Sequence, residues 1–465
     1  MRIGNAPRNL SDLAPKVLNA VLFFALVMAA GCGESRREIM VAVADSIATE
    51  LLTSPPPVAG LAIAVNQDGQ LLHDRAYGLS DPSTGEPLEA SQPQRIASLT
   101  KQFTAAAILM LVDEGRIELD APVQNYLPGF STQGHVVTVR HLMSHTSGLH
   151  SYSDLYARTG RQPVPRDAVL DTLQRHPFDF PPGDAYGYSN SNYYLLGLIL
   201  EQATGETYAR YLEASLLEPL GLEDTGYCGH DGEVVAPGYR AVADDLEAVV
   251  LDEAHGYLGG SGGLCSTAAD LVEWQHALAS GRVINPETYA LMTTPTVLVT
   301  GDTVPHGFGV DIETLENRAV IAQGGSLAGF NSRMAYYPEE RLAVAVLVNT
   351  NTTKAETIQN AVARAALGMA RLVPRDLPLS AEQRTPYVGS YDLGPIEVRV
   401  FEDGGRLMLQ PSGQTAARLL YQGADVFLAD VSDGVRVEFT VQEGRATQLA
   451  LHQGSRPLVG RRTEG

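Results

Sequence analysis

The run Val58-Ala59-Gly60-Leu61-Ala62-Ile63-Ala64-Val65-Asn66-Gln67-Asp68-Gly69-Gln70-Leu71-Leu72-His73-Asp74-Arg75-Ala76-Tyr77 decides the fold. Val58–Val65 and Leu71–Tyr77 read as two strands, and Asp68-Gly69 between them suits the positive φ of a tight hairpin turn. A hairpin alone leaves its edges unpaired, so these strands need partners elsewhere in the chain. Those partners stand far downstream. His306–Ile312, Ala319–Gln323, Ser332–Tyr337 and Leu342–Asn349 are short β-branched or aromatic runs, the last two joined by the turn Pro338-Glu339-Glu340-Arg341. Between the two sets the chain is helical and loop-rich. Ser98–Glu114 reads as a helix closed by Gly115, and Asn192–Ala203 as one closed by Gly205 after Thr204. Glu38–Leu52, with Ile39, Val43, Ile47 and Leu51 on one stripe, and Lys354–Leu372 add a helix at either end. Strands from both ends must therefore meet in one sheet. The expected architecture is an α/β/α sandwich, an antiparallel sheet flanked by helices, with a helical subdomain inserted.

A Pro-rich linker, residues 373–386, separates this region from a tail of different grammar. Ile396, Val398 and Val400 alternate, as do Val435, Val437, Phe439 and Val441, with Asp403-Gly404-Gly405 and Glu443-Gly444 as turns. Residues 387–463 read as a small antiparallel β domain, and closure into a barrel of about eight strands removes its exposed edges. Residues 38–372 form the larger domain. With 465 residues, 44% of them hydrophobic, the chain is long enough for two cores.

Charge and cysteine usage narrow the setting. The 33 Lys and Arg against 54 Asp and Glu give a net charge of -21, which repels nucleic acid and excludes it as a partner. At the N-terminus Arg2, Arg8 and Lys16 precede an apolar run, Val17–Ala30, too short to span a bilayer. Residues 1–31 thus read as a signal peptide. Its end, Ala29-Ala30-Gly31-Cys32, resembles a bacterial lipobox, which makes Cys32 the site of lipidation and the membrane a partner through that anchor, although Ala29 stands where Leu is usual. A plain secretory peptide cut near Ala30 is the other reading. Either way the protein is exported to the periplasm or cell envelope. Of the three cysteines, Cys228 and Cys265 then remain in an oxidising compartment, where they either pair or pack as small hydrophobes. No metal-binding motif is present: His141 and His145 lie four apart, but no acid falls between them. Neither a metal nor a cofactor is expected.

Ser98-Leu99-Thr100-Lys101 is the sharpest local signal. Serine and lysine three apart share a helix face, and a serine hydroxyl is a weak nucleophile that needs a base beside it. A lysine amine serves when neutral, a state that burial and the positive end of a helix dipole both favour. Alone the pattern is also what an N-cap serine and a surface lysine produce. Downstream, Tyr188-Ser189-Asn190 supplies a hydroxyl that donates a proton and an amide that orients both a lysine and a substrate carbonyl. The same residues also suit the start of a helix.

Taken together, Ile96-Ala97-Ser98-Leu99-Thr100-Lys101, Leu142-Met143-Ser144-His145-Thr146-Ser147-Gly148-Leu149, Tyr188-Ser189-Asn190, Gly262–Leu271 and Gly324-Gly325-Ser326-Leu327-Ala328-Gly329-Phe330 come in a recognisable order. The chain resembles the group of penicillin-recognising serine hydrolases that holds class C β-lactamases, D-alanyl-D-alanine carboxypeptidases and family VIII esterases, over roughly Glu38 to Leu372. The tail is similar to the lipocalin-like domain that often accompanies such enzymes. The resemblance implies an acyl-enzyme mechanism on a small-molecule or peptide substrate, with Ser98 as nucleophile, Lys101 as its base and Tyr188 as acid/base. It implies Asn190 as a substrate contact, and a cleft strand carrying Gln323, Gly324 and Gly325, with the Ser326 N–H as second oxyanion donor beside the unpaired N–H of Ser98 in the first turn of its helix.

At one position the chain departs from that group. Lys or His usually stands where Gln323 stands, and a neutral amide offers no charge to a substrate carboxylate. This points toward neutral esters and amides, unless Arg333 fills the role. Two other segments invite a different reading. Gly259-Gly260-Ser261-Gly262-Gly263 matches a nucleophile elbow, but the next element is a Thr267-capped helix with Asp270 at its third position, not the context an elbow requires. His145 is read as structural. The rival to an enzyme is a catalytically inactive binder of peptidoglycan or peptides, which the joint presence of Ser98, Lys101 and Tyr188 opposes.

Overall fold

The computed structural model describes residues 36–153, 166–229, 235–242, 245–249, 259–351, 355–369, 376–394, 396–430, 435–442, 444–452 and 458–463. The expected signal peptide and the candidate lipidation site Cys32 lie outside the described residues.

The hairpin forms as its turn chemistry dictates. Strands β1 (Gly60–Gln67) and β2 (Gln70–Asp81) are joined through Asp68 at φ 55° and Gly69 at φ 80°, and the Asn66 side chain accepts the Gly69 N–H at 3.0 Å. Strand β3 (Glu86–Pro87) pairs with β2. The downstream strands are β4 (Asp311–Leu315), β5 (Arg318–Leu327), β6 (Phe330–Tyr337) and β7 (Leu342–Val348). All seven make one antiparallel sheet in the order β4-β5-β6-β7-β1-β2-β3. The ends of the region meet at β1 and β7, where Ala64 lies opposite Ala345. Two strands from opposite ends of this domain are thereby locked in register.

Strand periodicity sorts the two faces. Ala62, Ala64, Ile321, Met334, Tyr336 and Ala345 join one core with helices α2 (Thr100–Asp113), α3 (Asn190–Thr204) and α4 (Ala268–Ala279). Leu61, Ile63, Val320, Ala322, Ala335 and Val344 pack on the other face against helix α1 (36–53) and helix α5 (Ala355–Ala366). Helix, sheet and helix are thus stacked as expected. Helix α4 begins on Thr267, whose side chain accepts the Asp270 N–H at 3.2 Å, the capping read from sequence.

One expected strand forms elsewhere. His306–Ile312 is not extended throughout: β4 starts at Asp311, and the segment before it folds inward. Glycines permit this. A Cβ on Gly307 would lie 2.2 Å from the Met292 carbonyl oxygen, and Gly309, at φ 70°, would put one 2.8 Å from that of Lys101. The segment serves packing against α2 and not the sheet. The helix expected over Ser98–Glu114 is likewise split, a 3₁₀ turn over Ala97–Leu99 leading into α2.

In the tail, eight strands close into an antiparallel barrel running from Gly389–Asp392 to Leu458–Arg462, the first and last pairing through Tyr391 and Arg462. Its interior is filled by side chains, with the Tyr387, Phe427 and Phe439 rings packed 4.9 to 5.5 Å apart. Cys228 and Cys265 form a disulfide, so of the two readings open from sequence the structure takes the paired one.

Candidate active site

The Ser98 turn is pinned from both sides before any side chain acts. Ile96 N–H donates to the Leu264 carbonyl at 3.1 Å, Leu264 N–H to the Thr100 hydroxyl at 3.1 Å, and the Ser332 hydroxyl of β6 to the Ile96 carbonyl at 2.8 Å. Held so, Ala97 sits buried at φ 49°, in the left-handed region an alanine avoids. The next residue is Ser98, projected at the top of α2. Strand β5 passes close by: a Cβ on Gly325 would fall 3.1 Å from the Ser98 nitrogen and 2.3 Å from both the Ile96 oxygen and the Ser332 hydroxyl. Only glycine lets the strand come this near.

Lys101, the second residue of α2, is wholly buried. Its Nζ lies 3.1 Å from Ser98 Oγ, 2.8 Å from Asn190 Oδ1 and 2.7 Å from the Ser261 carbonyl oxygen. Burial without a carboxylate partner among these contacts holds its pKa well below that of an ordinary lysine. A neutral amine has two N–H donors and one lone pair. Asn190 and Ser261 take the donors, which turns the lone pair toward the Ser98 hydroxyl. Asn190 is itself oriented, because its Nδ2 donates to Ser153 Oγ at 2.7 Å and its backbone N–H to Ser151 Oγ at 3.3 Å.

Tyr188 reaches Ser98 from the other side, its hydroxyl donating to Oγ at 2.9 Å. The residue is 42% exposed overall, yet enclosure around its hydroxyl raises the pKa well above the usual phenol value, opposed only in part by the Ser98 bond. Tyr188 therefore stays protonated at neutral pH. Asn190 opens helix α3, the alternative reading of this segment, so helix start and site coincide.

Of the remaining residues singled out from sequence, Gly325 and Ser326 lie on β5 beside Ser98, and Ser326 is exposed. Gln323 shares the Gly325 face of that strand but is 3% exposed, its Nε2 donating to the Gly324 carbonyl at 3.2 Å. Arg333 does not replace the missing cation. It sits on the opposite face of the sheet, buried against Glu313 at 2.5 Å. Ser261 is buried, its Oγ pairs with the Tyr152 hydroxyl at 2.7 Å, and it meets Lys101 through its carbonyl oxygen. That carbonyl and the Ser153 hydroxyl went unforeseen. The glycines around Ser261 were the available signal, since they allow close backbone approach; nothing in Ser151-Tyr152-Ser153 marked it. Among the described residues, His150, His176 and Asp179 bring metal-ligand atoms within 4.8 Å of one another. The two imidazoles stack at 3.8 Å and 14°, however, so their in-plane lone pairs do not converge on one ion, and His150 instead bonds Asp179 at 3.1 Å.

Serine, an amine base and a tyrosine hydroxyl gathered on one oxygen are the equipment of a serine hydrolase. A family model described as Beta-lactamase matches residues 51–368, and the chain belongs to that family. Penicillin-binding protein 4* of Bacillus subtilis is 27% identical over 83% of this chain and 91% of its own length. A D-aminopeptidase of Gluconobacter oxydans is 30% identical over 72% of this chain, which spans 63% of that longer protein. The octameric penicillin-binding protein homologue from Pyrococcus abyssi superposes with a TM-score of 0.65 at 24% identity, over 90% of this chain and 99% of the other.

The closeness of β5 to the turn gives a direct test. Gly325→Ala is expected to push the strand off Ser98 and lower kcat/KM by about 10²-fold, the cost of a displacement near 1 Å, while circular dichroism shows the fold retained. Unchanged kcat/KM would mean that β5 tolerates a side chain there and does not define the site.

Proposed function

We propose that this protein is an exported hydrolase that cleaves amides and esters through a covalent acyl-enzyme on Ser98, and that its preferred substrates are D-aminoacyl amides and short neutral esters. The observation that carries the reading is the saturation of Lys101 by Asn190 and Ser261, which leaves its lone pair for Ser98. Ser98 gives its proton to Lys101 as Oγ attacks the substrate carbonyl. The resulting oxyanion is received by the N–H groups of Ser98 and Ser326. Collapse breaks the ester or amide bond; the leaving alcohol or amine takes the Tyr188 proton, which the Lys101 ammonium restores. Water then repeats the attack with the proton flow reversed, releasing the acid and free Ser98.

Charge selects the substrate class. With Gln323 neutral and Arg333 committed to Glu313 on the far face of the sheet, neither residue offers a substrate carboxylate the cation that the group's usual Lys or His supplies. D-aminoacyl amides and neutral esters carry no carboxylate, and the relatives named D-aminopeptidase point the same way.

Export rests on the N-terminal pattern and on the disulfide, a bond that persists in oxidising compartments. Cys32 then carries the lipid anchor; Cys32→Ser is expected to move the protein from the membrane fraction to the soluble one, and an unchanged distribution refutes the anchor.

The chemistry is tested by pH. Only neutral Lys101 accepts the Ser98 proton, so kcat/KM should climb with rising pH through an ionisation well below that of free lysine, and Lys101→Arg, which stays charged, should fall to the level of Ser98→Ala. A Lys101→Arg enzyme with near wild-type turnover excludes lysine as the base. A panel of D-phenylalanine amide, p-nitrophenyl butyrate and nitrocefin tests the substrate class. The first two should outrun nitrocefin, and Gln323→Lys should shift the balance toward nitrocefin by about 10-fold, one regained charge-assisted hydrogen bond. Faster nitrocefin hydrolysis by the wild type overturns the neutral-substrate reading.

A further inference from the structure

His145 lies at the centre of the site without bonding Ser98. It is wholly buried, at φ 56°, in the loop after the short helix Val139–Met143. Its Nδ1 accepts two donors, the Ser189 backbone N–H at 3.2 Å and the Asn192 side-chain Nδ2 at 3.1 Å. A ring nitrogen that accepts carries no proton, so His145 is neutral, with its hydrogen on Nε2. Ser189 stands between Tyr188 and Asn190. The imidazole therefore grips the peptide that carries both groups converging on Ser98 and Lys101, and the Tyr188 ring rests on it at 4.5 Å between centroids.

We propose that His145, acting only as a neutral double acceptor at Nδ1, is the positioning residue that holds the Tyr188–Asn190 turn over the nucleophile, and that its protonation releases both groups together. Resting on the acyl-enzyme reading above, this assigns a role to a residue outside the set that touches Ser98. Protonated Nδ1 is a donor facing two donors, and both bonds are lost at once.

The surroundings of the ring oppose that proton. Lys101 of α2 and His306 of the segment before β4 stand close enough that any charge they carry repels it, the His306 ring lying 5.2 Å away, and the other ring neighbours are Tyr186, Tyr188 and Tyr193, which stay neutral. The nearby Asp311 carboxylate is spent on His306 Nδ1 at 2.8 Å. Burial contributes most, and together these hold the His145 pKa well below that of free histidine. The turn is thus secure at neutral pH and opens only in acid.

The test uses variants that separate acceptance from titration. Asparagine places its Oδ1 where His145 has Nδ1 and does not titrate; leucine fills the space but accepts nothing. The readout is the second-order rate of Ser98 labelling by a fluorophosphonate against pH, which requires an activated serine but no knowledge of the substrate. His145→Asn is expected to label within about 3-fold of wild type at pH 8 and to lose one of two protons from the acid limb, the other belonging to Lys101. His145→Leu is expected to label about 10²-fold more slowly at every pH. An acid limb of unchanged steepness in His145→Asn overturns the proposal, as does full labelling of His145→Leu; where the leucine variant fails to fold, the asparagine slope decides alone. Wild-type protein that never labels sinks the acyl-enzyme reading instead.

Discussion

A lysine with no solvent contact and no carboxylate among its hydrogen-bond partners is the constraint on which the rest of the site depends. Burying a charged ammonium is costly, and the cheaper course is to shed its proton. The fold arranges this with uncharged partners: an amide oxygen from the start of α3 and a backbone oxygen from the glycine-rich turn at Ser261 accept from the amine, and the Ser98 hydroxyl faces its lone pair. A single carboxylate in place of Asn190 would stabilise the ammonium and keep Lys101 charged. The chemistry depends as much on which groups are kept out as on which are brought in.

Three separate parts of the chain must arrive together for this to work. Residues 96–101, 188–192 and 259–264 come from a 3₁₀ turn, a loop-to-helix junction and a short glycine-rich helix. What registers them is the sheet, through Ser332 and Gly325, which place β5 and β6 against the Ser98 turn from the far end of the domain. The left-handed Ala97 is where that registration is felt. A backbone conformation worth roughly 1–2 kcal/mol of strain persists only because neighbours on both sides over-determine it.

Much of this was legible in the sequence, for reasons that can be named. Asp68-Gly69 announced its hairpin because few residues accept positive φ, and the need of β1 for a partner predicted that the ends of the region meet. Thr267 and Asp270 announced a helix start. Ser98, Lys101, Tyr188 and Asn190 were visible because their chemistry is carried by side chains. The groups that escaped act through backbone or through second partners: the Ser261 carbonyl belongs to a residue whose side chain drew attention for the wrong reason, and Ser153 holds Asn190 with a hydroxyl that any serine has. Extended structure was expected at His306, where Gly307 and Gly309 instead turn the chain inward against Met292 and Lys101, because glycine spacing marks close approach but does not say against what.

The disulfide reaches further than its place in the chain suggests. Cys265 belongs to the short strand Leu264–Ser266, where it lies opposite Arg95, and its neighbour Leu264 receives the Ile96 N–H that pins the Ser98 turn. Closing a loop between positions 37 apart withdraws roughly 4 kcal/mol of chain entropy from the unfolded state in the loop-closure model. The bridge ends on one of the strands that hold the Ser98 turn, while Ser332 of β6 holds it from the other side. Redox state and stability are thereby joined, so a chain with Cys228 and Cys265 reduced has an unfolded state freer by that amount than the same chain with the bridge formed.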